Sequence, residues 1–94
     1  MRAGVPDYLF KDGIMLSQGI LTVGRAEYND LVVDSPTISH HHAKIITFNR
    51  TAYIEDMGSK NGTKVNGIKK QHQRLREGDQ VTVGDYTFII MGFE

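Results

Sequence analysis

The sequence predicts an all-β fold, an antiparallel β-sandwich of short strands, and three observations support this. Turn signals such as Asp12-Gly13, Asn61-Gly62 and Asn66-Gly67 recur at short intervals, and residues of these types tolerate positive φ. The segments between them are rich in Val, Ile, Thr, Tyr and Phe, and no window has apolar residues sustained at helical spacing. Many short strands between regular turns are typical of an antiparallel sandwich or barrel.

Alternation along the predicted strands indicates which side chains face the core. Near 42–47 it places Ala43 and Ile45 on the core side, whereas the strand near 86–91 is apolar on both sides and is expected to be central. The other expected core residues are Leu31, Val33, Ile54, Met57, Val65, Val81 and Val83. In chain order, the eleven predicted strands lie near residues 7–10, 13–17, 20–24, 30–33, 42–47, 51–56, 63–65, 68–70, 72–75, 80–83 and 86–91.

Length and charge limit the classes of function. A chain of 94 residues fits a single domain over 1–94, alone or as a piece of a longer protein. Eleven basic residues balance eleven acidic ones, so neither nucleic acid nor a membrane surface is expected as a partner. The absence of cysteine excludes disulfides and thiolate metal sites. Together with an N-terminus that lacks an apolar stretch, it predicts a cytoplasmic protein.

Polar residues that suit an anion are concentrated at three predicted strand ends. These are Gly24-Arg25, the segment from Ser39 to His42, and the segment from Asp56 to Gly67. A sandwich gathers its binding loops at the ends of its strands. Arginine offers a rigid fork to phosphate oxygens, and serine and backbone N–H groups add neutral donors. The pattern therefore favours a phosphate-binding surface made of loops.

Four linked motifs in this order resemble the forkhead-associated (FHA) family. The family has Gly-Arg after an early strand, then Ser-x-x-His, then Asp-x-x-Ser-x-Asn-Gly-Thr, then Asn-Gly. Here these are Gly24-Arg25, Ser39 to His42, Asp56 to Thr63, and Asn66-Gly67. The resemblance implies a sandwich of about eleven strands in two sheets, with a phosphothreonine peptide lying across loops at one end. It also implies a binding module rather than an enzyme, with no cofactor.

The resemblance assigns a role to each matched position. Arg25, Ser39, His40 and Lys60 are expected to bind the phosphate. Asn61 is expected to hold the peptide backbone, and Thr37 matches a position that reads side chains after the phosphothreonine. Positions expected to hold the shape of the loops are Gly24, His42, Asp56, Gly62 and Asn66. The partner implied is a protein phosphorylated by a serine/threonine kinase.

The histidines are the main departure from the family pattern. The family commonly has arginine at one or both middle positions of Ser-x-x-His, where this chain has His40 and His41. The pocket is therefore expected to be less positive at neutral pH, and protonation of His40 to strengthen phosphate binding. Neighbouring residues on a strand point to opposite faces, so His40, His41 and His42 are not expected to share a metal ion.

Two other classes of function remain open at this stage. The domain can serve as a scaffold or oligomerisation module that uses a sheet face without phosphate. An enzyme is the less favoured class, because Asp56 has no partner acid, activated nucleophile or nucleotide loop, and no catalytic residue is predicted.

Overall fold

A computed structural model describes residues 12–94 of the chain, and the strand predicted at 7–10 lies outside them. Ten strands are present in this part. In chain order they are β1 (Asp12–Leu16), β2 (Gly19–Gly24), β3 (Leu31–Val32), β4 (Ala43–Phe48), β5 (Thr51–Asp56), β6 (Thr63–Val65), β7 (Ile68–Lys69), β8 (His72–Leu75), β9 (Gln80–Val83) and β10 (Tyr86–Phe93). Each corresponds to a predicted strand, and no strand end differs from its prediction by more than two residues.

The strands form two five-stranded sheets. The first has the order β1-β10-β9-β6-β7 and the second the order β3-β2-β4-β5-β8. Consecutive hairpins such as β4–β5 and β9–β10 pair antiparallel, as their tight turns require. The predicted sandwich is confirmed. In residues 12–94 no helix is present that could cross a membrane.

Two pairings differ from the antiparallel prediction, because β1 pairs parallel with β10 and β2 pairs parallel with β3. The β1–β10 pair joins Asp12 to Phe88, so it depends on contacts between distant parts of the chain. Parallel neighbours need a crossover, and the local turn signals carry no information about it. Both sheets are therefore mixed.

The core lies between the sheets and contains side chains from every strand except the short edge strands β3 and β7. Alternation along β4 buries Ala43 and Ile45, as predicted, and β10 supplies Phe88 and Ile90 at 0% exposure. Leu31 and Val33 pack against this core only partly buried. Its remaining members are Leu16, Val23, Ile38, Ala52, Ile54, Val65, Leu75, Val81 and Val83.

Met57 is the one incorrect core prediction. It follows β5 in the β5–β6 loop (57–62), and its side chain is 45% exposed. The backbone N–H of Met57 donates to the His42 carbonyl oxygen at 2.9 Å, which holds the main chain while the side chain points outward. An apolar residue beyond the end of a strand no longer follows the alternation of that strand.

Candidate functional site

Four loops meet at one end of the sandwich, and the β3–β4 loop (33–42) is at their centre. The Arg25 backbone N–H, in the β2–β3 loop (25–30), donates to the Ser39 carbonyl at 3.0 Å. From the β5–β6 loop, the Lys60 N–H donates to the Ser39 hydroxyl oxygen at 2.9 Å. From the β9–β10 turn (84–85), the Asp85 N–H donates to the Thr37 hydroxyl at 3.0 Å. The motifs that are far apart in sequence therefore form one surface.

His42 joins two of these loops from inside the protein. It is fully buried, and its Nδ1 accepts a hydrogen bond from the Ser39 N–H at 3.1 Å. Because Nδ1 is an acceptor, the ring proton lies on Nε2 and is donated to the Gly62 carbonyl at 2.8 Å. The neutral ring thus sets the distance between Ser39 and the turn that follows Asn61.

Position 24 requires glycine because the backbone of the β3–β4 loop lies too close to leave room for a side chain. A Cβ atom at this position would overlap the His40 carbonyl oxygen and would lie 2.7 Å from Asn29 Nδ2. The Asn29 side chain is buried and donates to the carbonyls of His40 and Ala26, at 2.7 and 2.9 Å. This contact brings the β2–β3 and β3–β4 loops together behind the site. Asn29 is outside the family motif, and no sequence pattern indicated it.

Asp56 organises the β5–β6 loop. Its carboxylate accepts hydrogen bonds from the Ser59 N–H and hydroxyl and from the Thr63 hydroxyl, the last at 2.7 Å. Partial burial raises the pKa of Asp56, but the hydrogen bonds from Ser59 and Thr63 outweigh that effect and lower the pKa below its ordinary value. The Ser59 hydroxyl oxygen also accepts from the Gly62 N–H at 2.9 Å, which fixes the turn around Asn61.

The polar groups predicted to contact a ligand lie on the open side of these loops. The Arg25 side chain is 42% exposed, with Nε 3.8 Å from the Asp34 carboxylate. The Ser39 hydroxyl accepts from Lys60 and keeps its own proton for an acceptor, since no group in residues 12–94 takes that proton. Asn61 donates from Nδ2 to the Thr37 carbonyl at 2.7 Å, which orients its amide oxygen.

A cleft beside Asn61 extends this surface towards the β9–β10 turn. It is lined by Thr37, Asn61, Gly62, Lys64, Thr82, Gly84 and Asp85. The Asp85 carboxylate accepts a hydrogen bond from the Ser35 hydroxyl at 2.9 Å, and hydrogen bonds from Ser35 and Thr37 lower the pKa of Asp85. Lys64 and Asp85 could not be predicted from the sequence, because neither belongs to the motifs and Asp85 is 48 residues from Thr37.

One predicted position, Asn66, is placed apart from this cluster. Asn66 lies in the β6–β7 turn, where it has φ 52°, accepts from the Gln80 N–H at 2.9 Å and donates to Asp79 at 3.0 Å. It shapes the opposite end of β6. His40 contributes its carbonyl to the loop contacts. His41 packs against Tyr28, with the ring centroids 4.8 Å apart.

In the part of the chain that the structure describes, no group of three His, Cys, Asp or Glu side chains converges on a point suited to a metal ion. The three histidines of the motif illustrate the reason. His42 is turned into the protein, whereas His40 and His41 are exposed. What the surface offers is an arginine, a serine hydroxyl, an asparagine amide and backbone groups, which together suit an oxyanion on a peptide.

The fold and this surface define a small β-sandwich with a polar loop surface at one end, and the chain belongs to the FHA domain family, whose model matches residues 21–84. The chain is 32% identical over 77 residues to the glycogen accumulation regulator GarA of Mycobacterium tuberculosis, covering 82% of this chain and 48% of GarA. It is 36% identical over 74 residues to an ABC transporter ATP-binding/permease protein of the same organism, covering 79% of this chain and 9% of the transporter.

Solved structures agree with this assignment. A structure of Mycobacterium tuberculosis EmbR in complex with a low-affinity phosphopeptide superimposes with a TM-score of 0.75 at 29% identity, covering 81% of this chain and 21% of EmbR. An FHA domain from a study of phosphothreonine-dependent FHA interactions gives a TM-score of 0.73 at 28% identity, covering 77% of this chain and 75% of that domain. The chain spans between 9% and 54% of the length of the curated relatives that it matches.

Proposed function

We propose that this domain is a signalling module that binds phosphothreonine-containing segments of partner proteins. The observation that supports it best is the convergence of Arg25, Ser39 and Asn61 on one open surface, fixed from behind by His42. Because these loops are tied to each other before any ligand arrives, little ordering of the protein is needed on binding.

The geometry suggests a division of roles within the site. Arg25 and the Ser39 hydroxyl bind the phosphate oxygens, Lys60 adds positive charge at the edge of the site, and His40 adds a further donor there. The Asn61 amide, oriented by the Thr37 carbonyl, pairs with the backbone of the peptide. Thr37 lines the cleft that receives side chains next to the phosphothreonine. The threonine methyl group contributes roughly 1–3 kcal/mol of selectivity over serine where it is enclosed.

The proposal also covers the partner of the domain and its place in the cell. The partner is a protein modified by a serine/threonine kinase, and the domain itself acts by binding rather than by catalysis. One relative, from Corynebacterium efficiens, is named an oxoglutarate dehydrogenase inhibitor, and another is named a glycogen accumulation regulator. Both names describe regulatory roles. We place the domain in the cytoplasm, where the ATP that kinases use is available.

The test is a titration with matched peptides, one phosphorylated on threonine and one not. We expect binding of the phosphorylated peptide alone, and we expect Arg25→Ala to weaken it about 10- to 150-fold, the loss of one charged hydrogen-bonding group. Arg50→Ala is the matched control, because Arg50 is exposed in the β4–β5 turn at the other end of the sandwich. Equal affinity for both peptides, or unchanged binding by Arg25→Ala, would contradict the proposal.

A scaffold or oligomerisation role is the second candidate, and one observation favours it. Ile20, Ile46 and Tyr53 form a row across β2, β4 and β5 on the outer face of the second sheet, with Phe48 beside them. Ile20 and Phe48 are 62% and 64% exposed. Light scattering tests this role: a dimer that Ile20→Glu converts to monomers supports it, and a monomer at high concentration contradicts it.

A further inference from the structure

The positive charge of this chain is concentrated in one segment, although its total charge is balanced. Residues 57–76 contain six Lys or Arg residues and no Asp or Glu, while the rest of the chain has five basic residues against eleven acidic ones. The basic residues of this segment are Lys60, Lys64, Lys69, Lys70, Arg74 and Arg76. They follow β6, β7 and β8 away from the binding loops, and we call them the basic strip.

Lys64 and Lys69 are direct partners in the register of β6 and β7, on the outer face of the first sheet. Like charges opposite each other on a strand pair destabilise the pair. In residues 12–94 the one cation with a carboxylate within 4.0 Å is Arg25, so neither lysine forms an ion pair with a described acidic side chain. Two exposed ammonium groups without ion-pair partners in this part of the chain are available to an anion that approaches this face.

This pair adjoins the phosphopeptide site directly. Lys64 lines the same cleft as Asn61. The Lys69 side chain crosses over Gly62, with its Nζ 3.2 Å from the point where a Cβ of Gly62 would lie. Because Gly62 has φ 83° and no side chain, the Lys69 ammonium reaches the residue next to the peptide clamp. A peptide bound at Asn61 therefore passes beside both lysines.

The strip continues into a second depression on the side of the sandwich where the two sheet edges meet. Lys70, Arg74 and Arg76 line it, and Val65 and Ile68 give it an apolar part. Its one carboxylate, Asp79, already accepts hydrogen bonds from the Arg76 N–H at 2.8 Å and from Asn66 at 3.0 Å. Strand β6 connects the two depressions, and its three extended residues span roughly 10 Å.

We propose that the basic strip binds an acidic flank of the phosphothreonine segment, so that the domain selects phosphothreonines next to Asp and Glu residues. The proposal rests on the proposed phosphopeptide function and adds the class of sequence that is preferred. Lys64 and Lys69 bind the acidic residues nearest Asn61, and Lys70, Arg74 and Arg76 bind those further along. Charge complementarity favours such a segment, and exposed pairs of this kind act mainly on specificity and association rate.

The experiment compares phosphothreonine peptides that carry several glutamates or several glutamines, placed before the phosphothreonine in one pair and after it in another. We expect the glutamate peptide to bind roughly 3- to 30-fold more tightly on one side only, as a few exposed charge pairs provide. The gain should fall as salt is raised from about 50 to about 500 mM, because exposed charges are screened over about 10 Å at 0.1 M.

Two double variants, each of which removes two positive charges, show whether the lysines of the basic strip cause the preference for glutamate. Lys64→Gln with Lys69→Gln should abolish most of the gain from glutamate, so that this variant binds the glutamate and the glutamine peptide with affinities within about 2-fold of each other. Lys44→Gln with Arg50→Gln removes the same charge from β4 and its turn, away from the strip, and should keep the gain. Thermal melting of each variant shows that it is folded, which is expected because all four side chains are solvent-facing or half-buried.

The outcomes separate the two proposals. Equal affinity with and without phosphate contradicts the phosphopeptide function itself. Phosphate-dependent binding with equal affinity for glutamate and glutamine flanks overturns the role of the basic strip, as does an equal loss of the gain in both double variants. Tighter binding of a short DNA duplex than of the glutamate phosphopeptide at the same salt also overturns it, because the strip would then be a nucleic-acid surface.

Discussion

Single side chains at this end of the sandwich join the loops and still present polar groups to the surface. Ser39 accepts from Lys60 through its hydroxyl oxygen while its backbone N–H is held by His42. The same hydroxyl keeps its proton available for the proposed ligand, so the direction in which it can donate is set by contacts that form during folding. His42 itself never reaches the surface. Loss of this buried histidine would therefore displace surface groups proposed to bind the ligand, although His42 itself would not contact the ligand.

Asp56 links the stability of the domain to pH. The pKa of Asp56 in the folded chain is below its ordinary value of 3.8, so its stabilising effect is complete above that pH and is lost as the pH falls through and below it. We expect Asp56→Asn to lower the free energy of unfolding by about 1–3 kcal/mol at neutral pH. The difference from wild type, measured by urea denaturation, should shrink as the pH approaches 3 and below.

Glu27→Gln is the matched control for this prediction. Glu27 is exposed in the β2–β3 loop, and its substitution should change stability by no more than about 0.5 kcal/mol. If Asp56→Asn were as stable as wild type at neutral pH, the loop would not depend on the carboxylate.

At the scale of strands, β1 forms one edge of the first sheet and is held there by parallel pairing with β10. Tyr86 of β10 donates a hydrogen bond to the Asp12 carboxylate of β1. Burial first, and then this hydrogen bond and the negative charge of Asp12, raise the pKa of Tyr86 to about 12. The contact spans 74 residues, so it holds the first described strand to the last.

The Tyr86 contact predicts a loss of stability at alkaline pH. The folded pKa is raised from 10.0, so the stabilising effect is complete below pH 10 and is lost as the pH rises towards 12. We expect wild type to exceed Tyr86→Phe in stability at neutral pH and to lose that advantage across this range, as read from urea midpoints. An advantage that does not change with pH would show that the hydroxyl has no such role.

At the scale of the whole molecule, one small core holds both sheets. Phe88 is fully buried on β10 and lies between its partners Val81 on β9 and Asp12 on β1. A domain of this size has about 5–15 kcal/mol of total stability. A single large cavity in the core therefore removes a considerable part of it.

Phe88→Ala is expected to cost about 3–5 kcal/mol, which lowers the midpoint of thermal unfolding by more than roughly 10 °C. Met91→Ala on the same strand is the control, because Met91 is 54% exposed and its truncation leaves no cavity. Circular dichroism melts compare the two. Equal melting temperatures for both variants would mean that the core is not formed as described.

Local chemistry determined much of this protein from sequence alone. Each strand described in residues 12–94 was expected within one or two residues, because alternation and turn residues act over short distances. The order of Gly24-Arg25, Ser39 and Asn61 predicted the site through the resemblance. The contacts of His42 with Ser39 and Gly62 then show how these loops are joined.

Only the tertiary structure decided the long-range features. These are the parallel β1–β10 pairing and the link between Asp85 and Thr37. Each depends on which distant segments pack together, and the free energy of that choice comes from the whole core rather than from neighbouring residues. The sequence alone therefore specified the strands and the motif, and packing specified the surface that the ligand meets.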